Sequence, residues 1–125
     1  MTAFTKIAAL LEQTVSELQR FLAIIDAERQ ALVSSDIDQL PLLAEQKSAL
    51  ATRLVHLESV RETMLSNAGL PPGRKGVVEC LSANVAQSDA AAASATWQRL
   101  IQLAAETKRN NETNGKLIAS RIQQN

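Results

Sequence analysis

The sequence predicts an all-α protein: an elongated antiparallel bundle of three long helices with coiled-coil-like packing, plus one short helix. Apolar residues recur at heptad spacing through most of the 125-residue chain, as they do in helices that pack along a seam. No stretch shows the strict apolar–polar alternation of a half-buried strand, and no solenoid-length repeat is present. The length suits a single domain, 1–125, with one continuous core.

The first helix is expected over residues 3–33. Every seventh residue from Phe4 is apolar, through Leu11, Leu18, Ile25 and Leu32, and the companion series runs Ile7, Thr14, Phe21 and Glu28. Such a helix is roughly 45 Å long at 1.5 Å per residue. "SSDIDQLPLL" then reads as a turn and restart, with Ser34, Ser35, Asp36 and Asp38 offering N-cap oxygens. Pro41 is tolerated in a first turn, where no intrahelical N–H bond is lost. The second helix, 38–68, carries Leu43, Leu50, Leu57 and Met64 at heptad spacing. It should stop at "NAGLPPG", with Gly69 left-handed and Pro71 just beyond. A short helix over 75–85 would bury Val77, Leu81 and Val85. Ser88 can cap the last helix, 89–123, which opens on the Ala-rich "DAAAASATW".

Within that last helix, "NNETNGKLI" collects poor helix formers. The phase nevertheless holds: stepping by sevens from Trp97 gives Ala104, Asn111 and Ile118, and the companions are Ile101, Lys108, Gly115 and Ile122. The stretch therefore reads as continuous helix with a polar layer at Asn111 and Asn114, because buried polar groups fix register at some cost in stability. Gly115 would let a neighbour approach closely, and Lys47 or Arg61 of the second helix are the expected partners of the amides. Lys47 and Arg61 share heptad positions with Leu40 and Leu54, so their stems should pack while their charged heads snorkel to water. Trp97 is either a core anchor or a partner-binding anchor.

The composition argues against chemistry. Thirteen basic and thirteen acidic residues balance, leaving no basic footprint for nucleic acid. Residues 1–68 carry a net −3 and residues 69–125 a net +3, as expected of helices that complement one another. The single Cys80 precludes an internal disulfide and reads as a small buried hydrophobe. His56 has no ligand at metal-binding spacing, and Asp36/Asp38 and Glu58/Glu62 read as caps and solvated faces. "GLPPGRKG" fails the phosphate-loop spacing and follows a helix rather than a strand. No catalytic residue, metal or cofactor is expected. The N-terminal "MTAFTKIAALLEQ" meets Glu12 early and lacks a small-residue cleavage site, and no apolar run is long enough to span a bilayer. A cytoplasmic protein without membrane insertion is the expectation.

"ERQALVSSDIDQLPLLAEQKSAL" resembles the signature of FlgN-type flagellar export chaperones, through Glu28, Leu32, Asp36, Leu40, Leu43 and Lys47. The pattern continues with Leu50, Leu54, Leu57, Arg61, Leu65 and Gly69, then Trp97 and the run Asn111, Asn114, Gly115, Leu117 and Ile118. The resemblance implies a type III export chaperone that binds C-terminal segments of hook–filament junction proteins of the FlgK and FlgL type. Such a chaperone prevents their premature assembly and hands them to the export gate. It places cargo binding on the last helix, here Trp97, Leu100, Ile101, Leu103, Leu117, Ile118 and Ile122. The alternative is a non-catalytic structural or regulatory coiled-coil protein forming a homo-oligomer, whose apolar stripes only pair with one another.

Overall fold

The computed structural model describes residues 2–124. In chain order they form α1 (Ala3–Ser34), a 3-10 turn (Ile37–Gln39), α2 (Leu40–Asn67), α3 (Gly73–Ala83) and α4 (Ala90–Gln124). The last helix runs unbroken through the asparagine-rich stretch.

Helix α1 is the shared partner, packed along α2 on one side and α4 on the other. That position explains why its buried set is wide. Phe4, Ile7, Leu11, Leu18, Phe21, Ile25 and Leu32 are all buried, joined by Leu10, Glu17, Glu28 and Ala31. Helix α2 buries only the narrow seam Leu43, Leu50, Leu57 and Leu65. It runs antiparallel to α1, since Lys47 meets Glu28 while Arg53 meets Glu17. Helix α4 runs parallel to α1: Ala92 and Ala93 lie beside Phe4 and Ala8, and Asn114 meets Ile25 and Glu28. The antiparallel relation therefore holds between sequence neighbours, and the third long helix returns in the direction of the first. Among the described residues α2 and α4 make no close backbone approach, which leaves a furrow between them.

Two core clusters divide the length. The larger joins Phe4, Ile7, Leu11 and Leu18 to Leu65, Val77, Cys80, Trp97, Leu100 and Leu103, so every helix contributes. The smaller, Phe21, Ile25 and Leu50 with Ile24 and Leu54, draws on α1 and α2 alone.

The helix ends follow local chemistry. The Thr2 hydroxyl caps α1 by accepting from the Thr5 amide at 3.1 Å. At the other end Ser35, not a glycine, takes the left-handed conformation (φ 62°), and the Asp36 amide closes onto the Ala31 carbonyl. No side-chain oxygen of Asp36 or Gln39 caps the following elements, so the expected N-cap role of "SSDID" is replaced by this C-cap. Helix α2 ends in a Schellman motif. Gly69 (φ 73°) donates to the Ser66 carbonyl, Leu70 donates to the Leu65 carbonyl, and the Leu70 side chain packs on the core. Helix α3 begins at Gly73, whose amide donates to both Glu62 carboxylate oxygens at 3.0 and 3.2 Å. A carboxylate from α2 thus satisfies an orphan N–H at a helix N-terminus, where negative charge is favoured. Gly76 is buried where a Cβ would collide with the Pro71 carbonyl oxygen. Val85, expected in the short helix's core, lies beyond its end and is exposed, because α3 stops at Ala83.

Candidate functional site

The polar layer is built around Asn114, whose side chain is fully buried. Its Nδ2 donates to the Ile25 carbonyl at 2.8 Å and to Glu28 Oε1 at 2.9 Å. Its Oδ1 accepts from Arg29 Nε at 3.2 Å. Buried Glu28 in turn accepts from Lys47 Nζ at 3.0 and 3.3 Å. The layer is thus a relay from α4 through α1 to α2, and every member is satisfied, as a buried polar network must be to avoid a desolvation penalty. The direct partner of Asn114 is the first helix, and the second is reached only through Glu28. Two turns beyond Asn114, Arg121 donates at 2.6 Å to both the Leu32 carbonyl and Ser35 Oγ. It covers an orphan carbonyl at the negative end of α1.

The other expected members of the layer lie elsewhere or play another part. Asn111 is half-buried, and no hydrogen bond joins its side chain to Glu28 or Asn114 among the described residues. Gly115 is exposed, and a Cβ there would meet nothing within 4 Å, so it serves no close approach. Lys47 does not snorkel, because its head turns inward to Glu28. Arg61 lies about four turns of α2 beyond Lys47, the layer's member on that helix, with its side chain only 14% exposed. One long bond of 3.4 Å links its Nη2 to Glu62, and its buried Nε has no acceptor among the described residues. Glu28 escaped assignment to the layer although its signal was visible. It occupies the heptad phase of Ile7 and Phe21, where a charge calls for a buried partner. Arg29 and Arg121 left no comparable trace in the sequence.

The residues expected to hold a partner divide by depth. Trp97 (3% exposed), Leu100 and Leu103 are buried in the larger core, where the tryptophan anchors α4 to α1 and α3. Their apolar surface is consumed within the chain. Ile101, Leu117 and Ile118 are half-buried, and Ile122 is 71% exposed. At the same end of the molecule Val33, Ile37 and Leu42 are also exposed. Between α2 and α4 the furrow deepens into a cleft floored by Leu18 and Leu100, walled by Leu54, Trp97 and Ile101, and edged by Arg61 and Arg74.

A family model described as FlgN protein matches residues 1–125, the whole length. The chain belongs to the FlgN family. Flagella synthesis protein FlgN of Proteus mirabilis is 28% identical over 117 residues, covering 92% of this chain and 71% of that protein. The FlgN of Yersinia enterocolitica is 26% identical over the same shares. A crystal structure from Pseudomonas aeruginosa, assigned as a flagella synthesis protein FlgN, superposes with a TM-score of 0.78 at 24% identity. The match covers 88% of this chain and 84% of that one. The shared fold is therefore the FlgN helical bundle, and family membership supports a role in flagellar biogenesis. Among the described residues, no helix is long and apolar enough to cross a membrane.

Proposed function

We propose that this FlgN-family protein is a cytosolic flagellar type III export chaperone. It binds the C-terminal helical segments of hook–filament junction proteins of the FlgK and FlgL type, keeps them from assembling early and delivers them to the export gate. The observation that carries the reading is family membership over residues 1–125 joined to an unspent apolar end. Ile122, Val33, Ile37 and Leu42 are exposed there, beside half-buried Leu117 and Ile118. A segment that polymerises through an apolar helix face exposes that face beforehand, and an amphipathic helical partner can cover it without catalysis.

The test is calorimetric titration of the intact chain with synthetic C-terminal segments of each junction protein. One segment should bind, and Leu117→Ser/Ile118→Ser should weaken it at least tenfold with the helical circular dichroism unchanged. Absence of binding to both segments overturns the chaperone reading. A cargo-indifferent, stable homo-oligomer in light scattering would favour the structural coiled-coil alternative.

A further inference from the structure

The α2–α4 furrow carries more than apolar surface. Its floor is α1, and its two walls are helices that do not close on one another. Trp97, Ile101 and Ala104 of α4 line it opposite Leu54 of α2. Stepping on by sevens from Trp97 and Ala104, the same side of α4 reaches Asn111 and Ile118, so the furrow leads toward the unspent apolar end.

Arg61 stands on the α2 wall with its charge poorly matched. Its nearest carboxylate, Glu62, is shared with the Gly73 amide at shorter distances than the 3.4 Å to Arg61. Among the described residues the buried Nε lacks an acceptor, and the guanidinium's one hydrogen bond runs from Nη2. A guanidinium offers five donors in a planar fork suited to a carboxylate. Arg74 lines the same cleft from α3, against the single acidic edge of Glu58. A buried, under-satisfied charge is costly in the free protein, and an incoming anion would relieve it.

We infer that the furrow between α2 and α4 seats an amphipathic helix of the partner, whose apolar face bears a carboxylate that pairs with Arg61 and Arg74. The occupant completes a four-helix arrangement, its apolar residues meeting Leu54, Ile101 and Ala104 beside the buried Trp97. The inference rests on the chaperone reading and specifies where, and by what chemistry, the segment docks.

The probe is the junction-protein segment that binds, together with a twin in which every Asp and Glu is replaced by Asn and Gln. Both are titrated against the intact chain while the emission of Trp97, the only tryptophan, is followed. The acidic segment should shift that emission. Arg61→Met should weaken it at least tenfold while leaving the melting temperature unchanged or higher, because the variant removes an under-satisfied charge. Arg74→Gln, at an exposed position, should weaken it about threefold. The amide twin should bind the parent as weakly as the acidic segment binds Arg61→Met, with no further loss in that variant. Binding of the acidic segment to Arg61→Met within twofold of the parent overturns the inference and leaves the chaperone reading standing. So does saturation with no change in Trp97 emission. If neither junction-protein segment binds the parent chain, both fall together.

Discussion

Replacing Asn114 by alanine tests the relay that joins the three long helices. The amide makes three hydrogen bonds, to Ile25, Glu28 and Arg29. The bond to the Glu28 carboxylate is charge-assisted and contributes about 2 kcal/mol, and the bond to the Ile25 carbonyl contributes about 1 kcal/mol. Arg29 is half-buried and recovers water, so its loss adds little. The expected destabilisation is about 3 kcal/mol. For a domain of this size, with roughly 4 °C lost per kcal/mol, Asn114→Ala should melt about 12 °C lower. Thermal unfolding followed at 222 nm, with urea titration for the free energy, measures it directly. A melting point within about 2 °C of the parent would refute the argument that this network is net stabilising. The joint variant Glu28→Leu/Lys47→Met/Asn114→Leu distinguishes stability from specificity. Removing all partners together leaves no orphaned charge, so it should melt no lower than Asn114→Ala. Any register role would then show as broadened side-chain NMR signals.

Gly76 and Gly115, both inside helices, provide a paired test. Gly76→Ala should cost about 2–3 kcal/mol, because the new methyl strikes the Pro71 carbonyl and can be accommodated only by moving α3 off Leu65. Gly115→Ala should instead stabilise by about 0.5–1 kcal/mol, since its position is exposed, helical and open. Chemical denaturation of both variants checks the opposite signs. Burial pushes the Cys80 thiol above its ordinary value of 9.0. The native chain should therefore react with a disulfide reagent at pH 8 far more slowly than the urea-unfolded chain. The folded value being the higher one, this group's contribution to stability is complete below the unfolded value. It is lost as pH climbs from there through the folded value, so alkaline unfolding should be measurably later in Cys80→Ala.

The heptad series of α1 was legible because that helix is covered on two sides. Phe4, Leu11, Leu18, Ile25 and Leu32 had to be apolar for both neighbours at once. The continuity of α4 through Asn114 was legible for the same reason, since phase survives where propensity fails. The partner of Asn114 was not legible. One helix's period says which side is buried but not how far its neighbour has slid along it. Lys47 and Arg61 looked alike from α2 alone, at the same heptad position, yet one meets Glu28 and the other faces a cleft. Gly76 and Gly115 were equally indistinguishable, because the difference lies in a proline carbonyl five residues before the first. Trp97 left two readings open, and the structure seats it in the core while keeping it at the edge of the furrow.

The parallel course of α1 and α4 has an electrical consequence. An odd number of long helices cannot cancel their peptide dipoles, so two C-termini meet one N-terminus at the end near Ser35. That end is left with an excess of about half a negative elementary charge. Arg121 stands over the last turn of α1, and Arg29 and Lys47, the latter paired with Glu28, lie one to two turns farther in. Their positive heads act as counterions built into the polypeptide, holding together by attraction a stretch of the bundle in which the apolar cluster draws on α1 and α2 alone. High salt should loosen this end before the other, so ionic strength would set how firmly the tip of α4 is held.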